Sequence, residues 1–195
     1  MEMPFDASGH EESDEALLAA CGRGDARAAR FLTLRFTPRA FGYAAQLLGD
    51  RAEAEDVAQE AMLRLWRIAP DWRAGEAKVT TWLYRVVTNL CTDRLRRRRG
   101  ERLDTIPEPE DGAPPAELRL LQAARAEALT AGLSGLPERQ RQAVILRHLE
   151  GLSNPAIAEI MEISTEAVES LTARGKRALA AGLVVRRKEL GFEDD

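Results

Sequence analysis

The sequence has only two cysteines in 195 residues, Cys21 and Cys91. Two are too few for a disulfide framework, and both stand among apolar residues on helical patterns, which predicts buried thiols. The two histidines, His10 and His148, lie far apart, and no His, Cys, Asp or Glu cluster has metal-ligand spacing. "GKR" at Gly175 lacks the preceding glycine of a phosphate-binding loop. The expectation is no metal, no cofactor and no enzymatic activity. Aromatic residues make up 5% of the chain, and no run of β-branched residues alternates with polar ones, so strands are not expected. No apolar run approaches the length of a bilayer span. The opening "MEMPFDASGHEESDE" has neither the basic start nor the apolar middle of a signal peptide. The chain is therefore expected to be cytoplasmic, with no membrane insertion. What is present, 45% hydrophobic and 31% charged residues with abundant Ala and Leu, is the composition of an all-α globular protein.

Charge is distributed unevenly. The formal net charge is -4, yet residues 80–100, "TTWLYRVVTNLCTDRLRRRRG", hold six arginines against one aspartate, Asp93. Within this stretch Trp82, Leu83, Val86, Val87, Leu90 and Leu95 recur at helical spacing, while Arg85, Asn89, Thr92, Arg96 and Arg99 form a second stripe. One helix thus presents a core face and a polar, basic face. An acidic protein has no global field that would steer it to a polyanion, so nucleic-acid contact must belong to particular surfaces. Asp93 is expected to pair with a neighbouring arginine, and Trp82 to lie in the core.

Ser13 is placed to cap a first helix through "DEALLAAC", ended by Gly22 and Gly24, and Asp25 to start a second. Thr37 followed by Pro38 reads as the cap and first-turn proline of a third helix, "PRAFGYAAQLL", closed by Gly49. Asp50, with Glu53 three residues later, opens another helix from Arg51 to about Ile68. A loop, "APDWRAGEAKV", then leads to the basic helix. These elements form one helical domain, residues 13–102, after a disordered tail of residues 1–12. Residues 103–116 sit in a stretch with four prolines and five acids and no periodicity, an extended, flexible acidic Pro-rich linker. A second helical domain follows over residues 117–184, with a tail at 185–195. The fold class expected is all-α, two small helical domains.

The second domain contains "NPAIAEIMEISTEAVESLTARGKRAL". With Ala158 as the small residue where two helices touch, Ile157, Met161, Ile163, Val168 and Leu171 fill the apolar places of a helix-turn-helix. Ser164 caps the second helix, whose outward side offers Thr165, Glu166, Glu169, Ser170, Thr172, Ala173, Arg174 and Lys176. Glu162 stands where glycine usually makes the turn, which predicts strain or a different turn.

Three stretches, in this order, resemble the two-domain extracytoplasmic-function group of bacterial sigma factors. "AEDVAQEAMLRLWR" is similar to that family's polymerase-binding helix. "TTWLYRVVTNLCTDRLRRRR" resembles its promoter-opening, minus-ten helix, and "LPERQRQAVILRHLEGLSNPAIAEIMEISTEAVESL" its minus-thirty-five-reading fourth region. The resemblance implies that the first domain is region 2 and the second region 4. It implies that Asp56, Gln59, Glu60 and Leu63 dock on the coiled coil of the largest subunit of core RNA polymerase. Arg85, Asn89, Arg96, Arg97 and Arg99 would then meet minus-ten DNA, with Trp72 or Arg73 stacking on a displaced base in the loop 72–78. Thr165, Glu169, Ser170, Ala173, Arg174 and Lys176 would face the minus-thirty-five element, although Glu169 stands where the family usually has a basic residue. An anti-sigma factor is the implied inhibitor. The alternative function is an autonomous helix-turn-helix transcriptional regulator, which would need no second basic helix with its own aromatic loop.

Overall fold

The computed structural model describes residues 13–73, 75, 77–101 and 117–184. The expected N-terminal tail, acidic linker and C-terminal tail lie outside the described residues, where there are eight α-helices and no strand. The helices are α1 (Asp14–Gly22), α2 (Ala26–Leu48), α3 (Arg51–Ile68), α4 (Val79–Glu101), α5 (Glu117–Ser134), α6 (Glu138–His148), α7 (Asn154–Met161) and α8 (Thr165–Val184). A 3₁₀ turn, Ala69–Asp71, continues α3.

Side-chain caps set most of the helix starts. Ser13 Oγ accepts from the Ala16 amide at 3.2 Å, Asp25 from Arg27 and Ala28 at 2.8 and 3.2 Å, and Asp50 from Glu53 at 3.0 Å. Each satisfies an amide that the first turn of a helix leaves without a partner. Gly49, at φ 64°, ends α2 in the left-handed region.

The expected break at Thr37-Pro38 does not occur, because α2 runs unbroken through Pro38. The physical reason is a single buried stripe, Ala28, Leu32, Phe36, Ala40, Tyr43 and Leu47, that continues across the proline. An internal proline costs about 3 kcal/mol. Burying a side chain the size of Phe or Leu contributes roughly 1.5–3 kcal/mol, so the four large side chains of the stripe, Leu32, Phe36, Tyr43 and Leu47, outweigh it. Thr37 does not cap, and its buried Oγ1 finds no hydrogen-bond partner.

In the first helical unit α2 packs on α1, α3 and α4, around Leu18, Leu32, Phe36, Tyr43, Leu47, Leu65 and Leu83. Tyr43 meets Tyr84 edge to face at 5.3 Å, and its hydroxyl lies 2.9 Å from Thr88 Oγ1. A buried phenol is thereby satisfied. Cys91 is fully buried, and burial pushes its thiol up to about 12. Cys21 is only half-buried, short of the burial expected for it, and its thiol is also raised by burial. In the second unit α6 and α7 pack on α8 around Leu133, Ile145, Leu146, Ile157 and Ile160. The two units touch: α7 lies along α4, and α5 and α6 approach α2.

Candidate functional site

On α3, Ala54, Val57, Ala58, Ala61 and Leu65 face the core and leave an outward stripe of Asp56, Gln59, Glu60 and Leu63. Leu63 is 42% exposed, and Trp66, three residues further along the same side, is 38% exposed. Trp66 was not among the residues singled out from the sequence. Its helical spacing from Leu63 is the signal that could have found it. Glu60 accepts a hydrogen bond from Arg64 at 2.8 Å, which holds its carboxyl below the usual carboxylate range, with Arg67 and Arg94 acting in the same direction. The result is an apolar pair beside acidic and polar groups, chemistry suited to a protein partner.

On α4, Leu83, Val87, Leu90 and Cys91 face the core. Asn89, Arg96, Arg97 and Arg99 are exposed, and Arg85 is half-buried. The arginines of α4 differ in what they touch. Arg98 is turned inward, bound to Asp50, Glu53 and the Leu48 carbonyl, so it fixes the α2–α3 corner. Arg96 pairs with Asp93 at 2.9 Å, the pairing expected of that aspartate. Arg99 lies 3.5 Å from Glu138, and Arg85 donates twice to the Glu159 carbonyl. Arg97 has no ion pair among the described residues and offers its charge outward.

Trp72 is half-buried against the core and stands edge to face with Trp82, 6.2 Å between ring centres. Its buried Nε1 has no partner, so the ring carries an unused donor. Arg73 beside it is exposed.

The helix-turn-helix is formed by α7 and α8. Ser164 Oγ caps α8 by accepting from Ala167 at 3.2 Å, and Ile157, Met161 and Val168 are buried with Ile163 and Leu171 packed on them. Glu162 makes the turn in the left-handed region, φ 54° and ψ 50°. The turn is thus the glycine-type one, held by a residue with a Cβ. That conformation costs a side-chain-bearing residue roughly 1–2 kcal/mol, while glycine loses about 0.5–1 kcal/mol in extra chain entropy. Glu162→Gly is accordingly expected to stabilise the domain by about 0.5–1 kcal/mol, read as a higher urea midpoint. A lowered midpoint would show that the glutamate side chain contributes more than the strain costs.

Glu169, Ser170, Ala173, Arg174 and Lys176 are exposed along one side of α8, with Thr165 half-buried at its start. Arg174 folds back on Ser170 Oγ at 2.8 Å, and Glu169 lies 3.4 Å from the Asn154 side chain. Gly175 is buried where α8 crosses α6.

Residues 32–101, holding the α3 face and α4, match Sigma-70 region 2, and residues 126–179, holding the helix-turn-helix, match Sigma-70, region 4. The ECF RNA polymerase sigma factor SigM of Mycobacterium tuberculosis is 36% identical over 171 residues, 88% of this chain and 85% of its own length. The chain belongs to the extracytoplasmic-function sigma factors. It is an alternative sigma factor that binds core RNA polymerase and directs promoter recognition. RNA polymerase sigma-H factor of Pseudomonas aeruginosa is 30% identical to this sigma factor over 184 residues, covering 89% of this chain and 95% of the relative. Among solved structures, CnrH in complex with the cytosolic domain of CnrY superposes with a TM-score of 0.67 at 26% identity, covering 89% of this sigma factor and 99% of CnrH. The sigma factor RpoE of Bartonella quintana, bound to the anti-sigma factor NepR, has a TM-score of 0.66 at 23% identity and shares the fold.

Proposed function

We propose that this sigma factor divides its work among three surfaces. The outward face of α3, with Asp56, Gln59, Glu60 and Leu63, docks on the coiled coil of the largest polymerase subunit, and Trp66 extends that face. Helix α4 takes the minus-ten element: Arg96, Arg97 and Arg99 hold phosphates, while Arg85 and Asn89 reach a base displaced from the stack. Trp72 and Arg73 flank that base from the preceding loop. Thr165, Glu169, Ser170, Ala173, Arg174 and Lys176 on α8 face the minus-thirty-five element, where the Glu169 carboxylate accepts from a cytosine amino group. Region 2 spans residues 13–102 and region 4 residues 117–184, with the acidic stretch 103–116 as the connection. The chain works by binding, without a catalytic step of its own, in the cytoplasm where the polymerase is. CnrH is in complex with the cytosolic domain of CnrY and RpoE of Bartonella quintana with the anti-sigma factor NepR, and we infer an anti-sigma factor here also. No helix among the described residues is long and apolar enough to cross a membrane.

The observation that supports this reading best is α4 itself. A single helix buries Leu83, Val87, Leu90 and Cys91 and turns Asn89, Arg96 and Arg97 outward. Asn89 carries both a donor and an acceptor, which a base edge can use, whereas Arg97 carries a charge that any phosphate satisfies. The two are therefore separable. On promoters altered singly across the minus-ten element, Asn89→Ala is expected to lose about 1–3 kcal/mol of discrimination at one position. Arg97→Ala is expected to weaken all promoters alike and to reduce the salt dependence. Equal weakening by both variants, with base preference unchanged, would make Asn89 structural.

A further inference from the structure

The arginine run of α4 extends past the core that anchors the rest of the helix. Leu90 and Cys91 are buried and Leu95 packs on the core, but residues 96–99 are all arginine, so no apolar side chain ties that end down. Arg98 takes that part instead. Its guanidinium donates to the Leu48 carbonyl at 3.1 Å, to Asp50 Oδ2 at 3.1 Å, and to Glu53 Oε1 from Nε at 3.0 Å, with a terminal nitrogen 2.9 Å from the same oxygen. Leu48 is the last residue of α2, Asp50 the cap of α3, and Glu53 lies in the first turn of α3. Asp50 accepts from the Glu53 amide through its other oxygen at 3.0 Å, so one aspartate both starts α3 and holds the end of α4.

We propose that the clasp of Asp50, Glu53 and Arg98 positions the far end of α4 for promoter DNA, so that Arg96, Arg97 and Arg99 meet phosphates as a preset group. The proposal rests on the reading of α4 as the minus-ten helix. Arg98 is spent inside the protein, its one charge facing two carboxylates, and is a positioning residue rather than a DNA contact. Without it, Arg94, Arg97 and Arg99 stand at helical spacing from other arginines and repel them, with nothing left to hold the turn. Each phosphate contact would then have to order its own stretch of chain first, a cost that a turn fixed beforehand avoids. The consequence is the reverse of what charge alone would give. Asp50 and Glu53 are acids beside a DNA-binding surface, and their own field repels DNA; through the clasp they are nonetheless required for binding it. Asp56, Gln59 and Leu63 lie further along α3, outside the clasp, so docking on polymerase does not depend on it.

The test uses the full chain carrying Asp50→Asn with Glu53→Gln. Asparagine caps a helix as well as aspartate does, and glutamine serves in a capping box, so α3 keeps its start while the clasp loses both negative charges. Core polymerase loaded with this variant, with Arg98→Met or with Arg97→Ala is titrated, across a salt series, with a labelled promoter fragment pre-melted at the minus-ten element. Although the double variant removes two negative charges, it is expected to bind this DNA about tenfold more weakly than the parent, and Arg98→Met likewise. Both should lower the slope of log affinity against log salt by about 1.5–2.5, because two or three phosphate contacts are released together, whereas Arg97→Ala should lower it by about 0.7–0.9, the value of one. Affinity for core polymerase should stay within about twofold of the parent for all three variants. Equal or tighter DNA binding by the double variant would overturn the positioning role. So would a slope change in Arg98→Met no larger than that in Arg97→Ala, which would make Arg98 a phosphate contact itself, or a parallel loss of polymerase affinity, which would make the clasp a general support of the fold. Arg97→Ala with affinity and slope both unchanged would instead remove the reading of α4, and the positioning proposal with it.

Discussion

Replacing both Leu63 and Trp66 with alanine is expected to weaken binding of the chain to core RNA polymerase by at least about thirtyfold. Two apolar side chains, 42% and 38% exposed, stand three residues apart on α3 beside Asp56 and Gln59. A tryptophan at the centre of a protein interface typically contributes 2 kcal/mol or more, and about 1.4 kcal/mol is a factor of ten in affinity. The fully buried Val57, Ala58, Ala61 and Leu65 carry the core side of the helix, and Leu63 and Trp66 lie outside that stripe. The thermal midpoint of the variant should therefore stay close to that of the parent. Adding Asp56→Arg reverses a charge at the edge of the same face, which should slow association further and in a salt-dependent way. Titration of labelled core polymerase with each variant measures both effects. Unchanged affinity in the double alanine variant would move the docking surface off α3.

The second large effect is expected at Gly175. A Cβ built there would lie 2.6 Å from Val144 Cγ2, 3.2 Å from the Gln140 carbonyl oxygen and 3.3 Å from Gln140 Cβ, all on α6. Alanine at a helix interior gains about 1 kcal/mol in propensity over glycine, but overpacking a buried contact costs about 1–3 kcal/mol. Gly175→Ala should thus be close to neutral or destabilising by up to about 2 kcal/mol, from the difference of those two ranges. Gly175→Val adds two further carbons and a β-branch at the same crossing, and its cost should exceed 3 kcal/mol by the same overpacking argument. Because α8 takes its position from that crossing, promoters that depend on their minus-thirty-five element should lose activity most. Binding to core polymerase through α3 should persist. The check is thermal unfolding of the two variants alongside transcription from promoters with and without a minus-thirty-five element.

Local chemistry was readable from the sequence where it was decided locally. Ser13, Asp25, Asp50 and Ser164 cap the helices their positions announced, because a cap needs only its own side chain and the amides two or three residues on. The Thr37-Pro38 pair misled for the opposite reason. Its local preference for a helix start is real, but the stripe from Ala28 to Leu47 continues through it, and tertiary burial decides. The same limit applies to the arginines of α4. Spacing puts them at one end of a helix, yet only the fold shows that Arg98 secures the α2–α3 corner while Arg97 is left outward. The glycine at 175 was legible as a residue without phosphate chemistry. Its close approach to α6 depends on a partner 31 to 35 positions earlier in the chain, which no local pattern encodes. The contacts between the units were likewise beyond periodicity, since Tyr84 and Glu150 are 66 residues apart.

The measurement that bears most directly on the central claim is run-off transcription by purified core RNA polymerase, with and without this chain, on a library of bacterial promoter fragments. Core alone should give no specific product, and adding the chain should yield transcripts from a subset of promoters sharing two separated elements. The free chain should at the same time bind those duplexes weakly, since the proposed reading has two DNA-contacting domains that need polymerase to space them. Tight, sequence-specific duplex binding by the chain alone, with no transcript added when core is present, would instead mark an autonomous helix-turn-helix regulator.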